Sequence, residues 1–215
     1  MEFLSREIAG QQLGRWLNDK GIRVDVVLGL PRGGVIVAAE VARCLRCPLD
    51  VIVVRKIGHP LFSEFAVGAL AEPDVVILDE ASVGKGVEPK LLEEVVKEER
   101  QRLSDYQLKF HQAGAIDLKQ KVTLLVDDGL ATGATMEAGV LGARKQGATK
   151  VVVAVPVSSV GAIRRLKRTA DEVHVPFIDP DFAAVGQYYT EFPQTSDEEV
   201  QALLAEFHLG RDESV

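Results

Sequence analysis

The sequence predicts an α/β fold, with an open, mostly parallel, twisted sheet that carries helices on both faces. Short runs rich in Val, Ile and Leu alternate with segments of helical periodicity, which is typical of parallel strands joined by helices. The runs are apolar throughout, as expected for strands covered on both faces. The chain has 215 residues, 47% of them hydrophobic, so it can bury a core without a metal or a disulfide.

The strands are predicted where short apolar runs end at turn residues. Four runs are interpreted as buried strands, and these are residues 24–30, 51–54, 122–126 and 151–155. Residues 65–70 and 75–78 are predicted to pair as a hairpin, because the intervening Ala-Glu-Pro-Asp is a turn sequence.

The helices are predicted from their caps and their apolar stripes. Ser5 caps a first helix that ends before Gly21, and Ser196 with Glu199 forms the capping box of the last one. Pro89 suits the first turn of a long insertion helix that reaches His111. Three further helices are predicted over residues 35–45, 134–146 and 160–168.

We expect one domain over residues 1–215, with its core at about 22–160 and a C-terminal hood at about 171–215. Five of the twelve aromatic residues lie within residues 177–192 of this hood. No linker long enough to separate two domains is visible in the sequence.

The charge balance argues against some classes of partner. Lys and Arg number 25 against 32 Asp and Glu, a net charge of −7, which disfavours nucleic-acid binding but permits a phosphorylated small molecule. The first residues are acidic where a signal peptide is basic, and no apolar run approaches the roughly 20 residues of a membrane span. We therefore expect a cytoplasmic protein without a membrane partner.

Several familiar catalytic motifs are absent. Cys44 and Cys47 form a C-x-x-C without a second ligand pair, so they are interpreted as ordinary thiols, with a redox pair as the alternative. The sequence has no NTPase P-loop, no G-x-G-x-x-G after a strand, no G-x-S-x-G and no H-E-x-x-H.

The chemically most informative segment is residues 123–135. A buried strand ends at the adjacent carboxylates Asp127 and Asp128, and a small-residue turn then opens a helix. The carboxyl ends of strands in open α/β sheets are where ligands bind. The turn offers backbone N–H groups and a helix N-terminus to an anion, while the acids suit hydroxyls or Mg²⁺. A sugar phosphate combines both requirements.

This segment closely resembles the motif of type I phosphoribosyltransferases that binds 5-phosphoribosyl-1-pyrophosphate (PRPP). The resemblance implies that Asp127 and Asp128 hold the ribose hydroxyls, partly through Mg²⁺. It also implies that the 5′-phosphate lies in a loop made of Ala131, Thr132, Gly133, Ala134 and Thr135. Ala131 stands where the hypoxanthine-guanine members of the family have an Asp base, so the sequence is more similar to the adenine and uracil types.

Two further segments match the family. Leu30-Pro31-Arg32-Gly33-Gly34 resembles its pyrophosphate loop, which often contains a cis peptide; a strand–helix turn that needs glycine for packing is the alternative. Arg55 and Lys56 stand where related enzymes bind pyrophosphate, and an exposed basic pair is the alternative. Residues 57–64, with His59 and Glu64, occupy the place of the family's mobile lid.

The resemblance implies a transferase that moves the phosphoribosyl group of Mg-PRPP to an unidentified nitrogen acceptor, with a homodimer as the default assembly. Phe182, Tyr188 and Tyr189 of the hood are candidates for stacking on the acceptor, with plain core packing at least as reasonable. A PRPP-binding regulatory protein without catalysis is the alternative function. A phosphohydrolase with Asp127 as nucleophile is disfavoured, because Asp127-Asp128-Gly129 is not the D-x-D arrangement of such enzymes.

Overall fold

The computed structural model describes residues 2–79, 83 and 87–212, except the side chains of residue 64 and of residues 209–212. Its main sheet has five parallel strands, and these are β1 (Val26–Gly29), β2 (Leu49–Val51), β6 (Val122–Val126), β7 (Lys150–Ala154) and β9 (Glu172–His174). They lie side by side in the order β2-β1-β6-β7-β9. The predicted parallel α/β sheet is confirmed.

Helices cover both faces of this sheet. The helices on one face are α1 (Arg6–Asp19), α2 (Gly33–Leu45) and α6 (Asp197–Asp212), and those on the other are α4 (Ala134–Lys145) and α5 (Val160–Leu166). Alternate strand residues serve the two cores: Val27 and Leu124 pack with α1 and α2, whereas Val26 and Leu125 pack with α4 and α5. This alternation explains why the strands are apolar throughout.

The chain leaves the main sheet earlier than predicted. Residues 51–54 are not one strand: β2 ends at Val51, and β3 (Val54–His59) belongs to a second, antiparallel sheet. The N–H of Ile52 still donates to Gly29, but that of Val53 donates to the Glu72 carboxylate. An acidic side chain from the turn between two later strands thus ends the pairing, which periodicity could not predict.

The prediction of a mobile loop over residues 57–64 is also wrong, because most of these residues belong to two paired strands. β3 pairs with β4 (Phe62–Ala71), which in turn pairs with β5 (Val75–Leu78) in the predicted hairpin. The β3–β4 turn is short, and the His59 ring accepts a hydrogen bond from the N–H of Leu61 at 3.1 Å. His59 is buried, while the side chain of Glu64 lies outside the described residues.

The predicted insertion helix, α3 (Pro89–Phe110), packs across β3. A buried polar cluster fastens its end: His111 Nε2 lies 3.1 Å from both Glu72 oxygens and its Nδ1 lies 3.5 Å from Asp50 Oδ1. Burial alone would lower the pKa of His111, but its interactions with the carboxylates of Asp50 and Glu72 raise it to about 10. The imidazolium therefore joins α3 to both sheets.

The predicted C-terminal hood is divided between two places. Strand β9 extends the main sheet and α6 packs on α2. The rest lies near the end of β6, where β8 (Val157–Ser159) pairs with β10 (Phe177–Asp179) and a 3₁₀ turn spans Val185–Tyr188. Among the described residues, no helix combines the length and the apolar character needed to cross a bilayer.

Candidate functional site

The two sequence segments with the strongest chemical signal meet at one edge of the main sheet. Gly29 of β1 pairs with Val126 of β6, so the turns that follow these neighbouring parallel strands emerge side by side. A cavity of about 470 Å³ lies between them. Both acids and most of the predicted phosphate loop contribute to its lining. The lining residues are Leu30, Pro31, Val54, Arg55, Lys56, Asp127, Asp128, Gly129, Leu130, Ala131, Thr132, Gly133, Thr135 and Val185.

The glycine turn after β1 packs directly on the acidic pair. A Cβ atom on Gly33 would lie 2.4 Å from Asp128 Oδ2, and one on Gly34 would lie 2.6 Å from Asp127 Oδ1. The peptide bond between Pro31 and Arg32 is cis, as the family resemblance predicts. The two glycines are therefore required for close packing against the acids, and they are absent from the cavity lining.

The acidic pair is crowded and partly buried. Burial, followed by the charge of Asp128, raises the pKa of Asp127 well above its usual value, against the opposing hydrogen bond from the Asp128 N–H at 2.9 Å. Burial also raises the pKa of Asp128, and its ion pair with Arg6 opposes that rise. Two such carboxylates are stabilised by any cation or hydroxyl donor that enters the cavity.

The predicted phosphate loop has the backbone that anion binding requires. Gly133 has φ +75° and immediately precedes α4. Since it has no side chain, it cannot cap the helix, and the N–H of Ala134 makes a long hydrogen bond, 3.4 Å, to the hydroxyl of Thr132 in the same loop. Ala131 and Thr132 are exposed at the cavity and Thr135 is half-buried there. Ala134 opens α4 but is absent from the lining.

The three basic residues that were predicted to bind pyrophosphate lie in three different environments. Lys56 is exposed and lines the cavity. Arg55 also lines it, but its guanidinium is bound to Glu99 of α3 at 2.9 Å. The side chain of Arg32 lies 3.6 Å from Asp197 of α6 and is outside the cavity lining.

The aromatic residues proposed for acceptor stacking are mostly inside the protein. Tyr188 and Tyr189 are buried, and the ring of Phe182 packs against Tyr188 with centroids 5.0 Å apart. Tyr189 donates a 2.6 Å hydrogen bond from its hydroxyl to the backbone oxygen of Asp128. These three residues do not line the cavity, so the structure corrects the stacking hypothesis in favour of core packing. Val185 is the residue that the C-terminal segment contributes to the lining.

Sequence reasoning missed two arginines that support the site. Arg6 of α1 is buried and its Nε donates to Asp128 Oδ2 at 2.8 Å. Arg165 of α5 donates to the backbone oxygen of Thr132 at 3.3 Å and lies 3.1 Å from Glu137 of α4. No motif marks either residue, because each contacts the site across a large sequence separation.

The donor set fits Mg²⁺ when a substrate supplies the remaining ligands. Within the described residues, no group of three or more His, Cys, Asp or Glu side chains forms a metal cage. Mg²⁺ is commonly bound through one or two carboxylates, waters and substrate phosphates. The crowded carboxylates of Asp127 and Asp128, which face the cavity with raised pKa values, are suited to such a role.

The two cysteines show no sign of redox activation. Burial raises the pKa of the Cys44 thiol and raises that of Cys47 to about 11. Thiolates are the reactive species, so these raised values favour the interpretation of both residues as ordinary free thiols.

Comparison with known proteins places this site in a family context. The crystal structure of TT1426 from Thermus thermophilus is 42% identical, covers 96% of this chain and 99% of that one, and superposes with a TM-score of 0.80. The Mycobacterium tuberculosis protein Rv0571c, provisionally named a phosphoribosyl transferase, is 42% identical over 208 residues, which is 96% of this chain and 47% of that protein.

A ribose-phosphate pyrophosphokinase from Thermococcus kodakarensis is 33% identical over 129 residues, or 59% of this chain and 45% of that enzyme. The chain therefore spans about half the length of these curated relatives. The sequence model of the phosphoribosyl transferase domain family matches residues 3–190 of this chain. That range contains the acidic pair, the phosphate loop and the glycine turn. The protein belongs to the phosphoribosyl transferase domain family.

Proposed function

We propose that the protein transfers the 5-phosphoribosyl group of Mg-PRPP to a nitrogen acceptor of the nucleobase type and releases pyrophosphate. The observation that carries the proposal is that one cavity brings an acidic pair beside a helix N-terminus whose N-cap residue, Gly133, has no side chain. Family membership supports PRPP as the ligand that combines ribose hydroxyls with a terminal phosphate.

Each part of the cavity has a role in this proposal. Asp127 and Asp128 receive the ribose hydroxyls and hold Mg²⁺ together with PRPP, while the loop of Ala131, Thr132, Gly133 and Thr135 binds the 5′-phosphate. Lys56, which is exposed and has no ion pair among the described residues, faces the pyrophosphate. Arg55 is committed to Glu99 and contributes a weaker, shared charge.

The reaction forms a bond from the acceptor nitrogen to the anomeric carbon and breaks the bond from that carbon to pyrophosphate. Positive charge develops on the ribose ring, and the two carboxylates stabilise it electrostatically. Asp127 and Asp128 would hold Mg²⁺, which would neutralise charge on the departing pyrophosphate. No covalent nucleophile is needed.

A regulatory protein that binds PRPP without turnover is the second candidate. The described residues that line the cavity include neither His nor Glu, so apart from the two Asp residues no side chain there is suited to accept a proton from an acceptor. Such a protein would keep PRPP affinity and lack catalysis.

The two candidates are separated by one set of measurements. The protein is incubated with PRPP, Mg²⁺ and a panel of nucleobases, and pyrophosphate release and nucleotide formation are followed. Turnover with any base supports the transferase, whereas PRPP binding without turnover supports the regulatory protein.

Binding itself is tested by thermal shift with Mg-PRPP. We expect Asp128→Asn to abolish the stabilisation seen in the wild type. The matched control is Asp19→Asn, because Asp19 is exposed at the end of α1 and forms no ion pair among the described residues. An unchanged shift in Asp128→Asn would contradict the proposed role of the acidic pair.

A further inference from the structure

Arg6 is a buried cation that touches the acidic pair without lining the cavity. It is the first residue of α1 and is only 8% exposed. Its Nε donates to Asp128 Oδ2 at 2.8 Å, and its Nη1 donates to the backbone oxygen of Pro193 at 2.7 Å. Its guanidinium carbon lies 3.8 Å from the centre of the Phe192 ring. Three kinds of contact therefore fix one guanidinium.

The chain segments around Arg6 are themselves held together by backbone hydrogen bonds. The N–H of Phe3 donates to Tyr188, and the N–H groups of Thr190 and Glu191 donate to Phe3 and Leu4. The segments before α1 and after the 3₁₀ turn thus form a strap beside Asp128. Two side chains reach the acidic turn from this region: the Tyr189 hydroxyl binds the backbone oxygen of Asp128, and Arg6 binds its carboxylate.

The glycine turn limits where the Asp128 carboxylate can go. A Cβ on Gly33 would lie 2.4 Å from Asp128 Oδ2 and 2.7 Å from Arg6 Nε. The carboxylate is therefore enclosed between the glycine turn and the guanidinium. Because its contacts to Pro193 and Phe192 fix the guanidinium, the charge-assisted hydrogen bond from Arg6 Nε sets the direction of Asp128.

Resting on the proposed function, we propose that Arg6 is a positioning residue, which holds the Asp128 carboxylate in the orientation that receives the ribose hydroxyls. Arg6 acts through Asp128, since it is absent from the residues that line the cavity. It has no direct role toward the 5′-phosphate, which lies in the separate loop before α4.

The test compares two ligands that differ only in the ribose. Ribose 5-phosphate requires the acidic pair and the phosphate loop, whereas inorganic phosphate requires the loop alone. Dissociation constants are measured for both without Mg²⁺, by calorimetry and phosphorus NMR, in the wild type, Arg6→Gln and Arg6→Lys. Arg15→Gln is the matched control, because Arg15 is exposed on the same helix.

We expect Arg6→Gln to weaken ribose 5-phosphate binding about tenfold and to change phosphate binding less than twofold. Arg6→Lys should recover part of the loss, since an ammonium can bind Asp128 but cannot reproduce the fork that also reaches Pro193. Arg15→Gln should match the wild type for both ligands. Thermal denaturation of each variant checks that it is folded.

The outcomes separate the two proposals. If both ligands weaken equally in Arg6→Gln and Arg6→Lys, Arg6 has a general structural role and the inference is overturned. If neither ligand is affected, the inference is overturned as well. If Arg6→Gln is unfolded, the test rests on Arg6→Lys, in which the loss of ribose 5-phosphate binding is compared with the loss of phosphate binding. If the wild type binds phosphate but neither ribose 5-phosphate nor PRPP, the proposed function fails first.

Discussion

Arg55 Nη2 lies 2.9 Å from Glu99 Oε2, and this ion pair joins the candidate site to the long helix α3. Arg55 Nε donates to the same oxygen at 2.9 Å, so the guanidinium binds Glu99 through two nitrogens. The Glu99 side chain is only 9% exposed, and Arg102 pairs with its other oxygen. The insertion helix therefore determines how much of the Arg55 charge is available in the cavity.

Removal of the Arg55 charge and removal of the adjacent Lys56 charge should have different effects on stability and on PRPP binding. We expect Arg55→Met to lower the free energy of unfolding by about 1–2 kcal/mol, because it leaves the buried Glu99 with Arg102 alone. Lys56→Met should leave stability within about 0.5 kcal/mol and weaken PRPP binding about tenfold. Urea denaturation and calorimetry measure the two effects. Equal losses of stability in both variants would contradict this division.

Gly34 is predicted to be the least replaceable residue of the glycine turn. A Cβ there would lie 2.6 Å from Asp127 Oδ1 and 2.9 Å from the Asp127 Cα, a backbone atom that cannot move aside cheaply. We expect Gly34→Ala to cost about 1–3 kcal/mol of stability through overpacking and to abolish Mg-PRPP binding.

The matched control for Gly34→Ala is Gly161→Ala on α5. A Cβ on Gly161 meets nothing closer than Ser159 Oγ at 3.8 Å. Because alanine favours helix, this variant should be neutral or more stable by about 0.5–1 kcal/mol. Equal stabilities for the two variants would show that the contact with Asp127 is not restrictive.

Arg165 should affect the phosphate loop more than its neighbour Arg164 does. Arg165 bonds the backbone oxygen of Thr132 and pairs with Glu137, whereas Arg164 is exposed and has no ion pair among the described residues. We expect Arg165→Gln to weaken inorganic phosphate binding several-fold and Arg164→Gln to weaken it less than twofold. Phosphorus NMR titration measures both. Equal weakening would instead indicate long-range attraction by the shared positive charge.

The cluster around His111 predicts a pH dependence of stability. The pKa of His111 is raised from 6.5 to about 10 in the folded protein, so its stabilising effect is fully present below pH 6.5 and is lost as the pH rises toward 10. The charges of Asp50 and Glu72 remain in both proteins. We therefore expect the stability difference between wild type and His111→Gln to shrink over this range.

Urea denaturation at several pH values measures that difference, with His208→Gln on α6 as the control. A difference that stays constant between pH 6.5 and 10 would show that His111 is not held as a cation. A difference that grows with pH would reverse the predicted sign.

Local signals account for most of what could be predicted. The apolar runs located β1, β6 and β7, and Pro89 located the start of α3, because strand burial and helix caps depend on neighbouring residues. The end of β2 could not be predicted locally, because Glu72 of the turn after β4 accepts the hydrogen bond from Val53. Residues 57–64 were predicted as a loop although they belong to the β3–β4 hairpin, since Pro60 separates the two paired strands.

The aromatic residues of the C-terminal segment show the limit of composition as evidence. Tyr188 and Tyr189 suggested a stacking surface, yet both are buried and the Tyr189 hydroxyl binds the backbone of Asp128. A sequence shows that a ring is available. It does not show which side of the ring is covered.

The sequence by itself determined the acidic pair, the small-residue loop and the apolar strands, since each consists of residues that are contiguous in the chain. Only the tertiary structure decided that Arg6, 122 positions before Asp128, forms its ion pair. It also decided that Arg55 is bound to Glu99 while Lys56 is left to the cavity. The physical reason is that charge pairing and close packing depend on distances in space, which periodicity and spacing along a chain do not fix.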